Sequence, residues 1–237
     1  LTGAAGQLGQ AVLAAAPRHW QLIACGRGEL DLADPRACRA AVHEHRPDWV
    51  LNAGAYTAVD RAETEPQLAL DVNAGAPQAF AEALAEQGGR LLQVSTDFVF
   101  AGDQGHPYCP DQPLAPLGEY GRSKAEGERR VAALLPAERF CVLRTSWVYG
   151  PVGRNFCLTM LRLHRERAAA DQELAVVADQ VGCPTATPGL AAACIAAIER
   201  QVSGLQHWSD AGAASWYDFA VAIGELAAAA GLLERPA

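Results

Sequence analysis

Tyr120 and Lys124 stand four residues apart in the segment Tyr120-Gly-Arg-Ser-Lys124, which places both side chains on one face of a helix predicted from Gly121. A free phenol has a pKa of about 10, and a neighbouring ammonium stabilises the phenolate. We therefore expect Lys124 to lower the pKa of Tyr120, so that the tyrosine can act as a general acid toward a carbonyl oxygen as hydride reaches the carbon. The same spacing is also common on ordinary surface helices.

A second chemical signal lies at the end of the predicted strand Arg90–Ser95, where the sequence continues Thr96-Asp97. Open α/β sheets bind ligands outside the carboxyl ends of their strands. The hydroxyl of Thr96 could there share a hydrogen bond with a substrate carbonyl and with Tyr120. Taken in isolation, these residues would merely turn the chain.

The chain begins with a glycine-rich turn, LTGAAGQLG, in which Gly3, Gly6 and Gly9 precede or open a predicted helix. Backbone N–H groups and the helix N-terminus of such a turn can bind a pyrophosphate, and the third glycine permits close packing of helix and strand. The spacing differs from Gly-x-Gly-x-x-Gly, and glycines that only form a tight turn are the plainer interpretation. Leu1-Thr2 has the character of a strand end, so we expect a few apolar residues before it in the natural protein.

Arg27 follows the predicted strand Gln21–Cys25, where an NAD-binding site usually has an acidic residue for the ribose hydroxyls. An arginine at this place pairs with a 2′-phosphate, which favours NADPH over NADH. Asp31 and Leu32 follow closely and could bracket an adenine ring. A solvated surface arginine is the alternative.

Short apolar runs alternate with alanine-rich stretches of helical length, which predicts an α/β fold with a Rossmann-type doubly wound parallel sheet. The character changes after Gly150-Pro151. We therefore predict an NADP-binding domain over residues 1–150 and a smaller, interleaved substrate-binding lobe over residues 151–237. The predicted strands are Gln21–Cys25, Trp49–Asn52, Arg90–Ser95, Phe140–Thr145 and Leu174–Val177, and the predicted helices lie near Gly6–Ala16, Pro35–His45, Pro66–Gln87, Gly121–Leu135, Asn155–Glu166, Pro188–Gln201 and Ser215–Leu233.

Composition excludes several classes of function. Among 237 residues, 19 Lys and Arg stand against 27 Asp and Glu, and the formal net charge of −8 argues against a nucleic-acid surface. A small anionic ligand is compatible with this charge, because local basic groups would bind it. No apolar run reaches the roughly 20 residues of a membrane-spanning helix. The seven cysteines include no Cys-x-x-Cys pair, which is typical of reduced cysteines in a cytoplasmic protein.

Five stretches, in the same order, resemble the extended short-chain dehydrogenase/reductases and, within them, the dTDP-4-dehydrorhamnose reductases. They are the glycine turn, Asn52–Asp60 (NAGAYTAVD), Ser95–Phe100 (STDFVF), Tyr120–Lys124 and Arg144–Gly150 (RTSWVYG). The resemblance covers nearly the whole chain. It implies that NADPH, or alternatively NADH, reduces the C4 keto group of dTDP-4-dehydro-6-deoxy-L-mannose to give dTDP-L-rhamnose.

The resemblance also implies roles for single residues. Thr96, Tyr120 and Lys124 would be catalytic: Tyr120 protonates the developing alkoxide, Lys124 tunes Tyr120 and anchors the nicotinamide ribose, and Thr96 orients the carbonyl. Together with the residues argued above, the cofactor would be bound by Gly3, Gly6, Gln7, Leu8, Gly9, Arg27, Asp31, Leu32, Gly54, Ala55, Tyr56, Thr57, Tyr120 and Lys124, and the nucleotide-sugar by Thr96, Asp97, Trp147 and Asn155.

This sequence departs from the family in two places. Some members form a dimer linked by Mg²⁺ through an acidic residue at the position of Ala11, so we expect no metal site, and a monomer and a homodimer both stay open. The chain also ends at Ala237, where we would expect further sequence of the smaller lobe.

Two other functions stay open at this point. A relative of the family serves a methionine adenosyltransferase as a non-catalytic regulatory subunit, but the complete set of Thr96, Tyr120 and Lys124 favours an enzyme. A nucleotide-sugar epimerase or dehydratase would share the fold. A dehydratase normally has two acids directly after its Ser or Thr, whereas Thr96-Asp97-Phe98 offers one.

Overall fold

The computed structural model describes all 237 residues, and the chain divides into two units. The first contains Leu1–Thr145 and Ala191–Trp208, and the second contains Ser146–Leu190 and Ser209–Ala237. The first unit thus ends at Thr145 rather than at Gly150, and the chain returns to it once before its end.

The helices begin and end within a few residues of the predicted positions. Asp34 caps one of them by accepting hydrogen bonds from the N–H groups of Arg36 and Ala37, and Pro35 takes its first position. A π-helical turn, Asp71–Gly75, interrupts the long predicted helix. None of the helices is long and apolar enough to cross a membrane. They are α1 (Gln7–Ala15), α2 (Pro35–His45), α3 (Val59–Ala62), α4 (Pro66–Leu70), α5 (Ala76–Gln87), α6 (Glu119–Leu134), α7 (Phe156–Ala169), α8 (Thr187–Glu199) and α9 (Trp216–Ala229).

The strands are β1 (Trp49–Asn52), β2 (Arg90–Thr96), β3 (Phe140–Thr145), β4 (Val148–Tyr149), β5 (Val181–Gly182), β6 (Thr185–Ala186), β7 (Gly204–His207) and β8 (Ala214–Ser215). The three strands β1 to β3 match the predicted ones to within one residue. The predicted strand Gln21–Cys25 is present only as a parallel bridge at Cys25. The predicted strand Leu174–Val177 is wrong, because its apolar side chains pack on a helical cluster and the segment joins no ladder.

The sheet of the first unit is parallel, with the order β1-β2-β3-β7. Thr2 extends it beyond β1, since parallel bridges join Thr2 to both Asn52 and Cys25. Thr2 thus lies between Cys25 and β1 in the sheet. The chain passes first from Thr2 to the neighbouring position at Cys25, and then to β1 on the opposite side of Thr2. Doubly wound sheets bind ligands outside the carboxyl ends of the strands at such a switch point.

Helices cover both faces of this sheet. On one face α2, α5 and α6 pack against β1, β2 and β3. Successive residues of a strand point to opposite faces, so Cys141 of β3 faces away from Val142. Cys141 lies near Cys194 of α8, which places α8 on the second face. Burial on both faces explains why the predicted strands are apolar rather than alternating. The first face is built from buried residues that include Cys38, Val42, Phe80, Leu84, Leu91, Val131 and Val142.

The second unit is built around α7 and α9, which pack through Met160, Ala220 and Ile223. Two short strand pairs complete it, parallel β4 with β6 and antiparallel β5 with β8. Ser215 and Asp218 form a capping box at the start of α9, which fixes where that helix begins.

Candidate active site

The glycine turn brings two backbone segments into close contact at the carboxyl edge of the sheet. Gly3 has a φ of 63°, a conformation that favours glycine. A Cβ on Gly3 would lie 2.6 Å from the Cα of Gly54, and one on Gly9 would collide with the carbonyl oxygen of Gly3. Chain packing alone therefore requires glycine at these positions, and it leaves bare backbone where a ligand would approach.

The N-terminus of α1 is free of side-chain caps. Gly6 is the N-cap and provides no side-chain hydrogen bond, and the first turn contains no acidic residue. Leu8 is buried, so it can meet a ligand only through its backbone, whereas Gln7 is half-buried. Backbone N–H groups at a helix N-terminus, with the positive end of the helix dipole, favour an anion. The predicted pyrophosphate residues thus have the features of a phosphate site.

Arg27, Asp31 and Leu32 lie on the segment after the second strand position of the sheet. Arg27 is exposed and makes no hydrogen bond or ion pair within the chain. Asp31 Oδ1 accepts a hydrogen bond from the N–H of Ala33 at 2.9 Å. Leu32 packs on Gly54, where a Cβ would lie 2.5 Å from the leucine Cδ1. Leu32 is therefore placed beside the bare backbone of the glycine turn.

Residues 54–57, which follow β1, are held by Asn73, a buried residue of the π-helical turn. Asn73 Oδ1 accepts from the N–H of Tyr56 at 2.9 Å, and its Nδ2 donates to the Tyr56 carbonyl and to Ser123 Oγ, both at 3.0 Å. Ser123 in turn donates to the carbonyl of Tyr120 at 2.7 Å. One buried amide thus fixes both the predicted cofactor loop and the helix that carries Tyr120. Our sequence analysis missed Asn73, although π-helical turns are frequent at functional sites.

Thr96, Asp97 and Tyr120 meet at the carboxyl end of β2. Thr96 and Asp97 both lie near enough to the phenol of Tyr120 to influence its pKa. Thr96 Oγ1 also donates to Asp97 Oδ1 at 3.1 Å and accepts from the N–H of Phe98 at 3.2 Å. The ring of Tyr120 packs edge-on against Phe98, with centroids 5.6 Å apart. The structure therefore brings together the predicted threonine, aspartate and tyrosine.

Lys124 lies one helical turn beyond Tyr120 and is buried, with 4% of its surface exposed. Its Nζ donates to the carbonyl of Val94 on β2 at 2.7 Å. Burial lowers the pKa of Lys124 to about 8, and the nearby carboxylate of Glu128 opposes that change. Lys124 therefore still carries its proton at neutral pH.

The prediction that Lys124 lowers the pKa of Tyr120 is wrong for the chain without ligands. Burial raises the pKa of Tyr120 to about 12, the nearby Thr96 hydroxyl opposes the rise, and the charge of Asp97 adds to it. The Lys124 ammonium is directed at the Val94 carbonyl and does not offset burial. Tyr120 consequently keeps its proton at neutral pH, which is the state that a general acid needs.

A buried ion pair lies next to Lys124. Arg144 Nη2 donates to Glu128 Oε2 at 2.6 Å, and Ser95 Oγ donates to Glu128 Oε1 at 2.5 Å. Arg144 Nη1 also donates to the carbonyl of Pro110 at 2.9 Å. These bonds join α6, β2, β3 and the long loop that precedes α6. Charged residues buried in apolar surroundings are rare, and our sequence analysis had no signal that Glu128 is one of them.

In the second unit, Trp147 has a φ of 46°, which is uncommon for a bulky residue. Its indole stacks on Trp216 with ring centroids 3.4 Å apart and planes inclined by 4°. Gly182 passes against the same indole, since a Cβ there would lie 2.5 Å from the Trp147 Cε2. The ring is therefore held rigidly, and an indole of this kind can offer a flat apolar surface to a ligand.

Asn155 is the N-cap of α7. Its Oδ1 accepts from the N–H of Leu158 at 2.9 Å, and its Nδ2 donates to the carbonyl of Gly150 at 2.9 Å. Helix capping accounts for an asparagine at this position. Its role in substrate binding stays a prediction.

Cysteine and metal chemistry find no support in the arrangement of side chains. All seven cysteines are free, and burial raises the pKa of Cys38 and of Cys194 to about 12 and that of Cys141 to about 11. These thiols stay protonated at neutral pH and are poor nucleophiles. No group of three or more His, Cys, Asp or Glu side chains is placed to hold a metal ion.

Sequence comparisons identify proteins to which the chain is similar. Residues 1–236 match the family model described as RmlD substrate binding domain. The chain is 46% identical over 223 residues to a probable dTDP-4,6-dihydroxy-2-methyloxan-3-one 4-ketoreductase of Streptomyces antibioticus, which covers 93% of this chain and 74% of that protein. It is 41% identical over 227 residues to a dTDP-4-dehydrorhamnose reductase of Sinorhizobium fredii, which covers 93% of this chain and 75% of that protein.

A solved structure shows the same fold. A dTDP-4-dehydrorhamnose reductase of Bacillus anthracis, crystallised in complex with NADP, matches with a TM-score of 0.90 at 36% identity. The match covers 95% of this chain and 79% of that one. The predicted Rossmann-type α/β fold is therefore confirmed.

Proposed function

The chain belongs to the RmlD substrate binding domain family, and we propose that it uses NADPH to reduce the C4 keto group of dTDP-4-dehydro-6-deoxy-L-mannose, giving dTDP-L-rhamnose. It is an NAD(P)H-dependent oxidoreductase. A relative is named dTDP-4-dehydrorhamnose reductase, and a solved relative holds NADP. The observation that carries the proposal is the placement of Thr96 and Asp97 beside the phenol of Tyr120, with buried Lys124 one turn along the same helix.

The residues at the switch point fit a dinucleotide. Close packing keeps side chains out of the turn at Gly3 and Gly54, where a Cβ would collide with the chain, and the N-terminus of α1 has no side-chain cap. Arg27 has no partner within the chain, which supports a role in pairing with the 2′-phosphate. We propose that the pyrophosphate is bound by Gly3, Gly6, Gln7, Leu8 and Gly9, the adenosine half by Arg27, Asp31 and Leu32, and the rest of the cofactor by Gly54, Ala55, Tyr56 and Thr57.

When bound, NADPH supplies the hydride that the ketone carbon receives. Tyr120 donates its phenolic proton to the ketone oxygen as negative charge develops there. The pKa of about 12 keeps this proton on Tyr120 until the more basic alkoxide forms. Thr96, which lies beside the phenol, orients the same oxygen. Lys124 would anchor the nicotinamide ribose, and the Tyr120 phenolate regains its proton from solvent.

The nucleotide-sugar would be recognised by Asp97, Trp147 and Asn155. The stacking of Trp147 on Trp216 supports this role, because a rigid indole loses little conformational freedom when a ligand packs on it. Asp97 is supported by its hydrogen bond with Thr96.

A second candidate is the reduction of another dTDP-linked 4-keto sugar. The Streptomyces antibioticus relative, at 46% identity, is named for a different keto sugar. Epimerisation and a purely regulatory role are less well supported, because the named relatives are reductases and the set of Thr96, Tyr120 and Lys124 is complete.

The free cysteines support a reducing compartment, and we propose that the enzyme works in the cytoplasm on a small molecule. A monomer and a homodimer are both compatible with this proposal.

The test is an assay of NADPH oxidation across a panel of dTDP-linked 4-keto sugars, with the configuration of each product read by NMR. We expect the highest kcat/KM with dTDP-4-dehydro-6-deoxy-L-mannose and a product of the L-rhamno configuration. A product of the L-6-deoxytalo configuration would change the assigned stereochemistry. No oxidation with any keto sugar would refute the proposed reaction.

A further inference from the structure

Thr145, the last residue of β3, has a buried hydroxyl without a partner. The residue is 7% exposed, and its Oγ1 makes no hydrogen bond. A threonine hydroxyl carries one donor and two acceptor sites, and burying it unpaired costs folding free energy. Since buried polar groups in native proteins nearly always have partners, this hydroxyl points to a ligand.

The position of Thr145 indicates where that ligand lies. Thr145 stands opposite Thr96 in the parallel pairing of β2 with β3. Residues opposite each other in a parallel sheet point to the same face, and neighbouring strands lie about 4.8 Å apart. The Thr145 hydroxyl is therefore one strand away from the threonine assigned to catalysis, at the edge of the sheet where ligands bind.

The neighbouring polar groups are already engaged elsewhere. Thr96 Oγ1 is bonded to Asp97 and Phe98, as described above. Arg144, the preceding residue of β3, directs its side chain to Glu128, and its carbonyl accepts from the N–H of Trp208 at 2.9 Å. None of these groups satisfies Thr145, which leaves its hydroxyl available to a bound molecule.

The chemistry of hydride transfer narrows the choice of partner. The reacting C4 of a nicotinamide must approach the ketone carbon whose oxygen meets Thr96 and Tyr120, and the carboxamide is attached to the adjacent ring carbon. A carboxamide has N–H donors and a carbonyl acceptor, so it can either donate a hydrogen bond to the Thr145 hydroxyl or accept one from it.

We propose that the hydroxyl of Thr145 binds the carboxamide of the nicotinamide ring and thereby fixes which face of the ring is turned toward the ketone. This assignment rests on the function proposed above. It adds Thr145 to the cofactor-binding residues, as a residue that contacts the nicotinamide and not the adenosine half of the cofactor.

Calorimetric titration of the Thr145→Val variant tests the assignment. The two ligands are NADPH, which contains the nicotinamide, and adenosine 2′,5′-bisphosphate, which lacks it. Valine keeps the shape of threonine and removes the hydroxyl. We expect the Kd for NADPH to rise about tenfold, the loss of one buried hydrogen bond, and the Kd for adenosine 2′,5′-bisphosphate to stay unchanged. Thr145→Ser, which keeps the hydroxyl, should bind NADPH within about twofold of the wild type. The ligand-free Thr145→Val variant should melt no lower than the wild type, because it has lost an unpaired buried hydroxyl.

Three results would overturn the assignment. Thr145→Val could bind NADPH as tightly as the wild type, which would remove the role of the hydroxyl and leave the proposed reaction standing. Thr145→Val could lose affinity for both ligands equally, which would indicate a general disturbance of the fold. Wild-type protein that bound neither ligand would refute the assignment and the proposed function together.

Discussion

Arg144 and Glu128 form an ion pair in the interior of the first unit, with Nη2 and Oε2 2.6 Å apart and side-chain exposures of 3% and 4%. Glu128 lies one turn beyond Lys124 on α6, and its charge opposes the lowering of the Lys124 pKa by burial. The same carboxylate accepts a hydrogen bond from Ser95 of β2. The pair therefore joins the helix of the proposed catalytic residues to two strands of the sheet.

Replacing Glu128 with glutamine should destabilise the protein strongly. The substitution leaves the Arg144 charge buried without a counter-ion, and breaking such a pair from one side costs about 3–5 kcal/mol. Urea denaturation measures the free energy of unfolding. The matched control is Glu126→Gln on the same helix, whose partly exposed pair with Arg130 should be worth about 1 kcal/mol or less. Equal losses in the two variants would contradict a special role for the buried pair.

The pH dependence of activity should report Lys124. Because burial lowers the pKa of Lys124 to about 8, kcat/KM for NADPH should fall as the pH rises through about 8 and the ammonium loses its proton. Tyr120 keeps its proton throughout this range, since its pKa is about 12. An activity that stays level up to pH 10 would show that the charge on Lys124 is not used.

Stability should respond to the same group with the opposite sign. Between pH 8 and the ordinary lysine value of 10.5, the unfolded chain binds this proton more fully than the folded chain. The contribution of Lys124 to stability therefore rises with pH across this window, and below about pH 8 it is a constant cost because both states bind the proton. Lys124→Met should abolish this contribution, as judged by unfolding midpoints of the two proteins at pH 8 and pH 10. Identical slopes in both proteins would argue against a lowered pKa.

Arg27 should decide between the two nicotinamide cofactors. Arg27→Asp places a carboxylate where a 2′-phosphate is proposed to bind, so KM should rise more for NADPH, by about tenfold or more, than for NADH. Arg18→Asp is the control, since Arg18 is also exposed and lies outside the proposed site. Equal effects of Arg27→Asp on both cofactors would remove the argument for the 2′-phosphate.

The backbone contact between Gly3 and Gly54 should tolerate no side chain. Gly3→Ala combines a positive φ with a Cβ 2.6 Å from Gly54, so we expect a stability loss of roughly 1–3 kcal/mol and weaker NADPH binding. Gly28→Ala is the matched control, because nothing lies within 4 Å of a Cβ there and its φ is not positive. Thermal unfolding and NADPH titration of both variants measure the difference. If the two variants behaved alike, the close approach would have no consequence for the cofactor site.

Much of the fold could be predicted from local signals. β1, β2 and β3 are buried on both faces and therefore appear as short apolar runs, and Asp34-Pro35 marks the start of α2 through its capping chemistry. The wrong strand at Leu174–Val177 has the same apolar character, but Leu174 and Val176 pack partly buried against the cluster of α7 and α9. A short apolar run alone does not distinguish these two environments. β7 was missed because Gly204–His207 contains only one large apolar residue.

The site was predictable only where a motif is local. Thr96, Tyr120 and Lys124 stand in short recognisable segments, whereas Asn73 and Glu128 act through partners in other elements, 16 or more residues away. The pKa of Tyr120 was predicted in the wrong direction because sequence spacing shows that Lys124 shares its helix face. The spacing does not show that the ammonium bonds to the Val94 carbonyl.

The most direct test of the proposed mechanism is Tyr120→Phe, assayed for NADPH oxidation with dTDP-4-dehydro-6-deoxy-L-mannose and titrated with NADPH. Tyr217→Phe, at an exposed tyrosine of the second unit, is the control and should keep wild-type activity. Because Tyr120 is assigned as the general acid, kcat should fall by about 10²–10⁴-fold in Tyr120→Phe while the Kd for NADPH stays within about twofold of the wild type. A Tyr120→Phe enzyme with near wild-type kcat would contradict the assignment of Tyr120 as the proton donor.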